Sequence, residues 1–158
     1  MGVITAAMLP WSDFAELTPD IAAAGLRLFE ERELAFLAST GRDGRPRLHP
    51  FILKIVSGRL VAFVLDRSPK RRDLDERGLY AIHTLPGKED ESFFVSGRAV
   101  SRNDETPFRE AVAVAMDFDT GVDAHHILYE FLIDRVLWTT WSNFGTAELQ
   151  PHYRKWSV

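Results

Sequence analysis

The sequence predicts a mainly β domain of the α+β class, in which six antiparallel strands close into a small barrel with flanking helices. Three observations favour this fold: six stretches have the composition of strands, tight-turn dipeptides separate several of them, and only two or three stretches have helical periodicity. Because the strands follow one another closely along the chain, antiparallel pairing is expected rather than pairing through helical crossovers.

The predicted single domain spans residues 1–158 and begins with a helical arm over about residues 1–31. Thr18 followed by Pro19 is the cap-and-proline signature of a helix start, and apolar residues recur after it at helical spacing. The helix is expected to end near Glu31.

Three strands are predicted after the arm, in the stretches ELAFLAST, LHPFILKI and SGRLVAFVL. Asp43-Gly44 and Ser57-Gly58 lie between them, and both dipeptides are typical of hairpin turns because their residues tolerate positive φ. The three strands should therefore form an antiparallel meander.

The second half of the chain contains two further strands, a helix and a long final strand. LYAIHTL and SFFVSGRAV have strand composition, and Gly97 in the second of them predicts a β-bulge or a tight bend. A helix is predicted over residues 103–116, where Thr106-Pro107 repeats the cap-and-proline signature. HHILYEFLIDRVLWTTW then alternates as one long strand.

Composition and charge exclude several classes of function. Hydrophobic residues make up 46% of the chain and charged residues 27%, as in globular proteins. The net charge of −4 argues against a general nucleic-acid-binding protein, and the absence of cysteine excludes disulfides and thiolate metal sites. Neither a signal peptide nor a long apolar span is predicted, so a cytoplasmic protein without membrane or nucleic-acid partners is expected.

The stretch RSPKRRDL is a cationic run that directly follows a predicted strand. Ser68 is a favourable N-cap, Pro69 a favourable first helical residue, and Gly78 a favourable residue to follow the last turn. The run therefore predicts a short helix whose first turn is rich in positive charge.

Two interpretations of this charge remain open. Lys70, Arg71 and Arg72 lie at the positive end of the helix dipole, which is electrostatically unfavourable, so a nearby negative charge should compensate for them. One candidate is pairing with acidic residues three or four positions later, and the other is a bound anion such as a phosphate. The pairs would be Lys70 with Asp73, Arg71 with Asp75, and Arg72 with Asp75 or Glu76.

The stretch RPRLHPF supports the anion interpretation. Strand alternation puts Arg47, His49 and Phe51 on one side, and Pro50 predicts that the strand lies at a sheet edge or a bulge. An edge leaves backbone N–H and C=O groups free to bind the polar edge of a flat heterocycle. The alternatives are a solvated Arg47 and a half-buried His49 with its hydrogen bonds satisfied.

Taken in order, AFLASTGRDGRPRLHPF, SPKRRDL, LYAIHT and FFVSGRAV resemble the split β-barrel flavoproteins related to pyridoxamine 5′-phosphate oxidase. The resemblance is strong over residues 34–100, and looser for LTPDIAAAGLRLF near the start and YRKW near the end. It implies a split barrel and a homodimer that binds FMN at the subunit interface.

The resemblance also implies site residues. Lys70 and Arg71 would bind the FMN phosphate with Ser68 and Arg47 nearby, and Trp156 would help to close the flavin pocket across the dimer. The backbone of RLHP would form the wall beside the flavin ring. The cofactor-binding set is Arg47, Leu48, His49, Pro50, Ser68, Lys70, Arg71 and Trp156.

The implied function is a flavin-dependent oxidoreductase with a small-molecule substrate that the sequence does not identify. The C-terminal stretch FGTAELQPHYRKWSV lacks the fuller set of basic and histidine residues of vitamin B6 oxidases, so that activity is not expected. The alternative is a non-catalytic module of the same fold, or one that binds the deazaflavin coenzyme or haem. No catalytic acid or base is assigned, and the stretch DAHH does not have the spacing of a metal site.

Overall fold

A single antiparallel sheet forms the frame of the computed structural model, which describes residues 7–32, 34–117 and 122–158. Within these ranges the helices are α1 (Trp11–Leu17), α2 (Pro19–Glu31), α3 (Pro69–Glu76) and α4 (Thr106–Ala115). The strands are β1 (Leu34–Thr40), β2 (Pro46–Ile52), β3 (Lys54–Val56), β4 (Arg59–Leu65), β5 (Leu79–Thr84), β6 (Ser92–Ser101), β7 (His126–Ser142) and β8 (Gln150–Ser157).

The order of the strands shows how the sheet closes into a barrel. It runs β2-β1-β5-β6-β7-β4-β3, and β8 pairs with the far end of β7. The two end strands, β2 and β3, are separated only by Leu53, so the sheet must curl back on itself. This confirms the predicted α+β fold with a β-barrel and flanking helices.

The structure has more strands than the six that the sequence predicts. The predicted strand LHPFILKI divides at Leu53, because β2 pairs with β1 whereas β3 pairs with β4. The second addition is β8, which pairs with β7 from residue 150 onward. Its exposed and mostly polar side chains gave no strand signal in the sequence.

The predicted bulge at Gly97 is present. The register of β6 against β7 shifts between Ser96 and Gly97. A Cβ atom at Gly97 would lie 1.9 Å from the carbonyl oxygen of Leu132, so only glycine fits this close approach of two backbones.

The helical arm contains one helix that the sequence predicts and one that it does not. α2 spans the predicted range, but the Thr18 hydroxyl donates to the carbonyl of Phe14 instead of capping the helix. The unpredicted α1 places Trp11 and Phe14 in the core. The Trp11 ring contacts the rings of both Phe14 and Phe29. Residues 1–6 of the predicted arm, and Glu33 at the start of ELAFLAST, lie outside the described residues.

The predicted helix over residues 103–116 is α4, which is shorter and has Glu105 rather than Thr106 at its N-cap. Glu105 takes part in a network around Glu130 of β7, a carboxylate that is 2% exposed. Arg59 and Arg102 both donate to Glu130, at 2.6 and 2.8 Å, and Arg59 also pairs with Glu105. Through Arg59 of β4, the network joins Glu105 at the start of α4 to Glu130 of β7.

Within the described ranges, no helix is both long enough and apolar enough to cross a membrane.

Candidate anion and cofactor site

The cationic run forms the start of α3, as the sequence predicts. Ser68 is extended, Pro69 is the first helical residue, and Gly78 follows the last turn with a φ of +71°. The first turn contains no acidic residue. Ser68 occupies the N-cap position, but its hydroxyl makes no capping hydrogen bond, so this part of the prediction is wrong.

Lys70 is a half-buried cation without a paired carboxylate in the described part of the chain. Burial lowers the pKa of its ammonium group, and no neighbouring charge offsets this effect. The predicted pair with Asp73 is wrong, because Asp73 is bound elsewhere. Lys70 is therefore the cation of this helix that most needs an anion.

Asp73 connects α3 to the first two strands. It is 5% exposed, accepts a hydrogen bond from the Ser39 hydroxyl at 2.8 Å, and lies 3.2 Å from Nε of Arg47. The carboxylate therefore holds the Arg47 side chain, which is still 42% exposed, beside the middle of α3, about one turn after Lys70. Ser39 was missed in the sequence, where it is one of several small polar residues near a turn.

His49 lies among the same charges. Burial lowers the pKa of its imidazole, the positive charges of Lys70 and Arg47 lower it further, and Asp73 opposes them. Its Nε2 atom is buried and has no hydrogen-bond partner within the described ranges. The alternative of a satisfied half-buried histidine is therefore wrong.

Arg71 is held by a second carboxylate. Its Nε lies 2.8 Å from Oδ2 of Asp75, which confirms the predicted pair, although this buried N–H is not aligned for a hydrogen bond. The hydroxyl of Tyr129 on β7 donates to the other oxygen of Asp75, and burial together with this bond raises the pKa of Tyr129. Arg71 is thus less available to a ligand than Lys70, and Arg72 is exposed.

Strand β2 lies at an end of the sheet, as Pro50 predicts. Arg47, His49 and Phe51 share its inner face and become more buried along the strand. On the outer face Pro50 is exposed and Leu48 is 65% exposed. In the described sheet β2 pairs only with β1, so its other edge leaves backbone hydrogen-bonding groups unpaired.

Trp156 lies on β8, which pairs with β7 outside the main strand order, whereas His49 lies on the end strand β2. Trp156 packs on Phe14 of α1, with ring centroids 5.1 Å apart. Within one chain the contact recorded for the Trp156 ring is therefore with the N-terminal helix and not with α3.

Two of the cavities in the described part of the chain lie away from the α3 cluster. The larger, about 560 Å³, is between α2, β3 and the end of α4 and is lined by residues that include Leu26, Ile55 and Met116. The other, about 400 Å³, is lined by Phe94 and Trp156 among others. The larger cavity lacks the charged cluster described above, so its size alone does not make it the candidate site.

The adjacent histidines of DAHH contact separate carboxylates. Nδ1 of His125 lies 2.8 Å from Asp66, and Nδ1 of His126 lies 2.8 Å from Asp123. Among the residues that the structure describes, no three His, Asp or Glu side chains are grouped so that they could hold a metal ion.

The fold of the chain is similar to that of several solved structures. PhzG from Burkholderia lata 383, solved with tetrahydrophenazine-1-carboxylic acid, is 15% identical, covers 94% of this chain and 93% of its own, and has a TM-score of 0.60. A candidate pyridoxamine 5′-phosphate oxidase from Listeria innocua is 12% identical, with 73% of this chain and 95% of that chain covered and a TM-score of 0.60.

A haem-binding protein from Mycobacterium smegmatis is 16% identical and covers 82% of this chain, with a TM-score of 0.56. This chain spans 57% of that protein's length. No family model matches the chain, and no curated protein matches it. The likeness in structure shows the fold: the chain has the split β-barrel fold shared by proteins related to pyridoxamine 5′-phosphate oxidase.

Proposed function

We propose that the protein is a homodimer that binds FMN and acts as a flavin-dependent oxidoreductase on a small molecule. The observation that carries the proposal is Lys70, a half-buried cation at the start of α3 that has no carboxylate partner in the described chain. Arg47 and His49 lie beside it. A phosphate group would supply the missing negative charge and accept charge-assisted hydrogen bonds from this cluster.

The residues of β2 fit the rest of the cofactor. A flavin ring needs a flat contact surface and partners for its polar edge, and an unpaired strand edge offers N–H and C=O groups at regular spacing. Leu48 and Pro50 are exposed on the outer face of that strand. The flavin would thus extend from the α3 cations along the backbone of residues 47–50.

A second copy of the chain would cover the outer face of the sheet. Cross-strand pairing brings Phe36, His83, Phe94 and Leu137 into one outer row, in which His83 is exposed and the three apolar side chains are partly exposed. The corresponding inner row, Leu37, Ile82, Val95 and Val136, is fully buried. Partly exposed apolar side chains grouped on one sheet face are a feature of protein interfaces, and a second copy could bring its own Trp156 to the flavin.

When bound, FMN would supply two-electron redox chemistry. The chain's own residues would provide position and charge: Lys70 and Arg47 hold the phosphate, Asp73 holds Arg47, and β2 orients the ring. None of these contacts assigns a proton donor or acceptor for a substrate.

The direct test is the spectrum of the purified protein and its response to added FMN. We expect a yellow protein with flavin absorbance, an equimolar ratio of flavin to chain, and the mass of a dimer in sedimentation. A colourless protein that leaves the fluorescence of added FMN unchanged would contradict the proposal.

The same measurement separates the alternative cofactors. A similar fold occurs in a haem-binding protein, so a red protein with a Soret band would favour a haem-binding module. Absorbance of a deazaflavin would favour that coenzyme. The desolvated, cationic cluster around Lys70 favours a ligand with a compact dianionic group, which is why FMN is preferred here.

A further inference from the structure

The imidazole of His49 lies close enough to three charged side chains for their charges to act on it. Arg47 shares its face of β2 and pairs with Asp73 of α3 at 3.2 Å, and Lys70 of α3 is the third. Its Nε2 atom is buried and has no hydrogen-bond partner in the described part of the chain. A buried polar atom without a partner costs free energy, so the packing of the described chain does not by itself explain this arrangement.

The neutral ring is favoured in the absence of an anion. Burial is the largest cause of the lowered pKa of His49, and the charges of Lys70 and Arg47 lower that pKa further. Asp73 opposes them, but its carboxylate is bound to Arg47 and Ser39. A proton on His49 would therefore add a third positive charge to a partly buried cluster.

A bound dianion would reverse this balance. Its charge would offset those of Lys70 and Arg47 and would favour the imidazolium form of a nearby histidine. We propose that His49 takes up a proton from solvent when a phosphate group binds between Lys70 and Arg47, so that anion binding and protonation of this ring are coupled.

The inference rests on the proposed function, because it concerns the same phosphate site. Coupling between two binding events is reciprocal, so a proton on His49 strengthens anion binding as much as the anion strengthens proton binding. The affinity for the anion should therefore rise as the pH falls through the range in which His49 titrates.

Calorimetry of FMN binding in two buffers of different ionisation enthalpy measures the proton uptake. The phosphate of FMN itself titrates near pH 6, so the informative quantity is the difference between the wild type and His49→Gln. We expect the wild type to take up more protons per flavin than the variant, and to bind FMN roughly tenfold more tightly than the variant at acidic pH. His152→Gln, which changes an exposed histidine on β8, is the matched control and should behave as the wild type does.

A second measurement needs no variant. The imidazole signal of His49 can be titrated by NMR with and without saturating inorganic sulfate, which stays a dianion throughout. We expect sulfate to raise the pKa of His49 by about 1 or more.

The outcomes distinguish this inference from the function on which it rests. If FMN binds to both proteins with equal proton uptake and sulfate leaves the pKa of His49 unchanged, the coupling is wrong and the proposed function stands. If FMN does not bind at any pH, both are wrong.

Discussion

Nε of Arg47 lies 3.2 Å from Oδ2 of Asp73, whose carboxylate is 5% exposed. This pair joins the edge strand β2 to the middle of α3, and the Ser39 hydroxyl donates to the same oxygen. Because Asp73 is engaged here, it is not available to Lys70 three positions from it in the sequence. The contact therefore fixes Arg47 beside the helix and leaves Lys70 without a carboxylate.

Asp73→Asn should destabilise the fold. The substitution removes the charge that offsets Arg47 and weakens the bond from Ser39, so the free energy of unfolding should fall by about 1–3 kcal/mol. Urea unfolding measures the change. Asp43→Asn is the control, because the pair of Asp43 with Arg45 is largely exposed and should contribute little. Equal effects of the two substitutions would contradict a structural role for Asp73.

Glu130→Gln should cost more than Glu105→Gln, although both carboxylates pair with Arg59. The side chain of Glu130 is 3% exposed and also binds Arg102, whereas that of Glu105 is 39% exposed. Removing the buried charge leaves Arg59 and Arg102 with the more exposed Glu105 as their remaining shared carboxylate and should cost about 3 kcal/mol. The exposed pair should contribute about 1 kcal/mol or less. Chemical unfolding of the two variants tests the order, and a larger loss for Glu105→Gln would refute it.

Gly25→Ala should destabilise the protein, although alanine is the better helix former. A Cβ atom at Gly25 would lie 2.5 Å from the ring of Phe93, which is fully buried. We expect a loss of about 1–3 kcal/mol from overpacking instead of the usual gain in helix stability. Phe93→Leu removes the ring atoms in conflict, so the double variant should lose less than the sum of the two single losses. If the two losses are strictly additive in this mutant cycle, contact with the Phe93 ring is not the reason that alanine is unfavourable at position 25.

His125 should contribute to stability only at lower pH. Its Nδ1 lies 2.8 Å from Asp66, and this hydrogen bond and the charge of Asp66 raise the pKa of His125. Because the folded state has the higher pKa, the contribution is complete below the unfolded-state value of about 6.5 and is lost as the pH rises through the folded-state pKa. Hydrogen bonding to His125 also lowers the pKa of Asp66, so the contribution from Asp66 is lost only when the pH falls through that lowered value.

The stability difference between the wild type and His125→Gln should therefore be larger near pH 5.5 than near pH 8.5. Urea unfolding at the two pH values measures it. His152→Gln removes a histidine that contacts the Ser142 hydroxyl and should show no such trend. A difference for His125→Gln that does not change with pH would contradict the role of the His125–Asp66 pair.

Local sequence signals predicted most of the barrel. Ser57 and Gly58 have φ of +51° and +72°, as their hairpin turn requires, and the bulge at Gly97 follows from a glycine inside a strand pattern. The strand β8 was missed because its polar side chains carry no alternation. It forms through backbone pairing with β7, which a local pattern does not encode.

The candidate site was predicted less completely than the fold. The family resemblance predicted that Arg47 and Lys70 would lie near one another, whereas helical spacing offered Asp73 as one possible partner of Lys70. In the folded chain Asp73 forms its ion pair with Arg47 instead. Tyr129 was also missed, since its bond to Asp75 joins residues 54 positions apart.

The most direct test of the account compares FMN with riboflavin, which lacks the phosphate. Fluorescence quenching should show that the wild type binds FMN at least tenfold more tightly than riboflavin. Charge-assisted hydrogen bonds to the phosphate contribute about 1.5 kcal/mol or more, which corresponds to about a tenfold difference in affinity. Lys70→Met should remove most of this difference, whereas Arg72→Met, which changes an exposed cation of the same helix, should preserve it. Equal affinities for FMN and riboflavin in the wild type, or equal losses in the two variants, would contradict a phosphate site at Lys70.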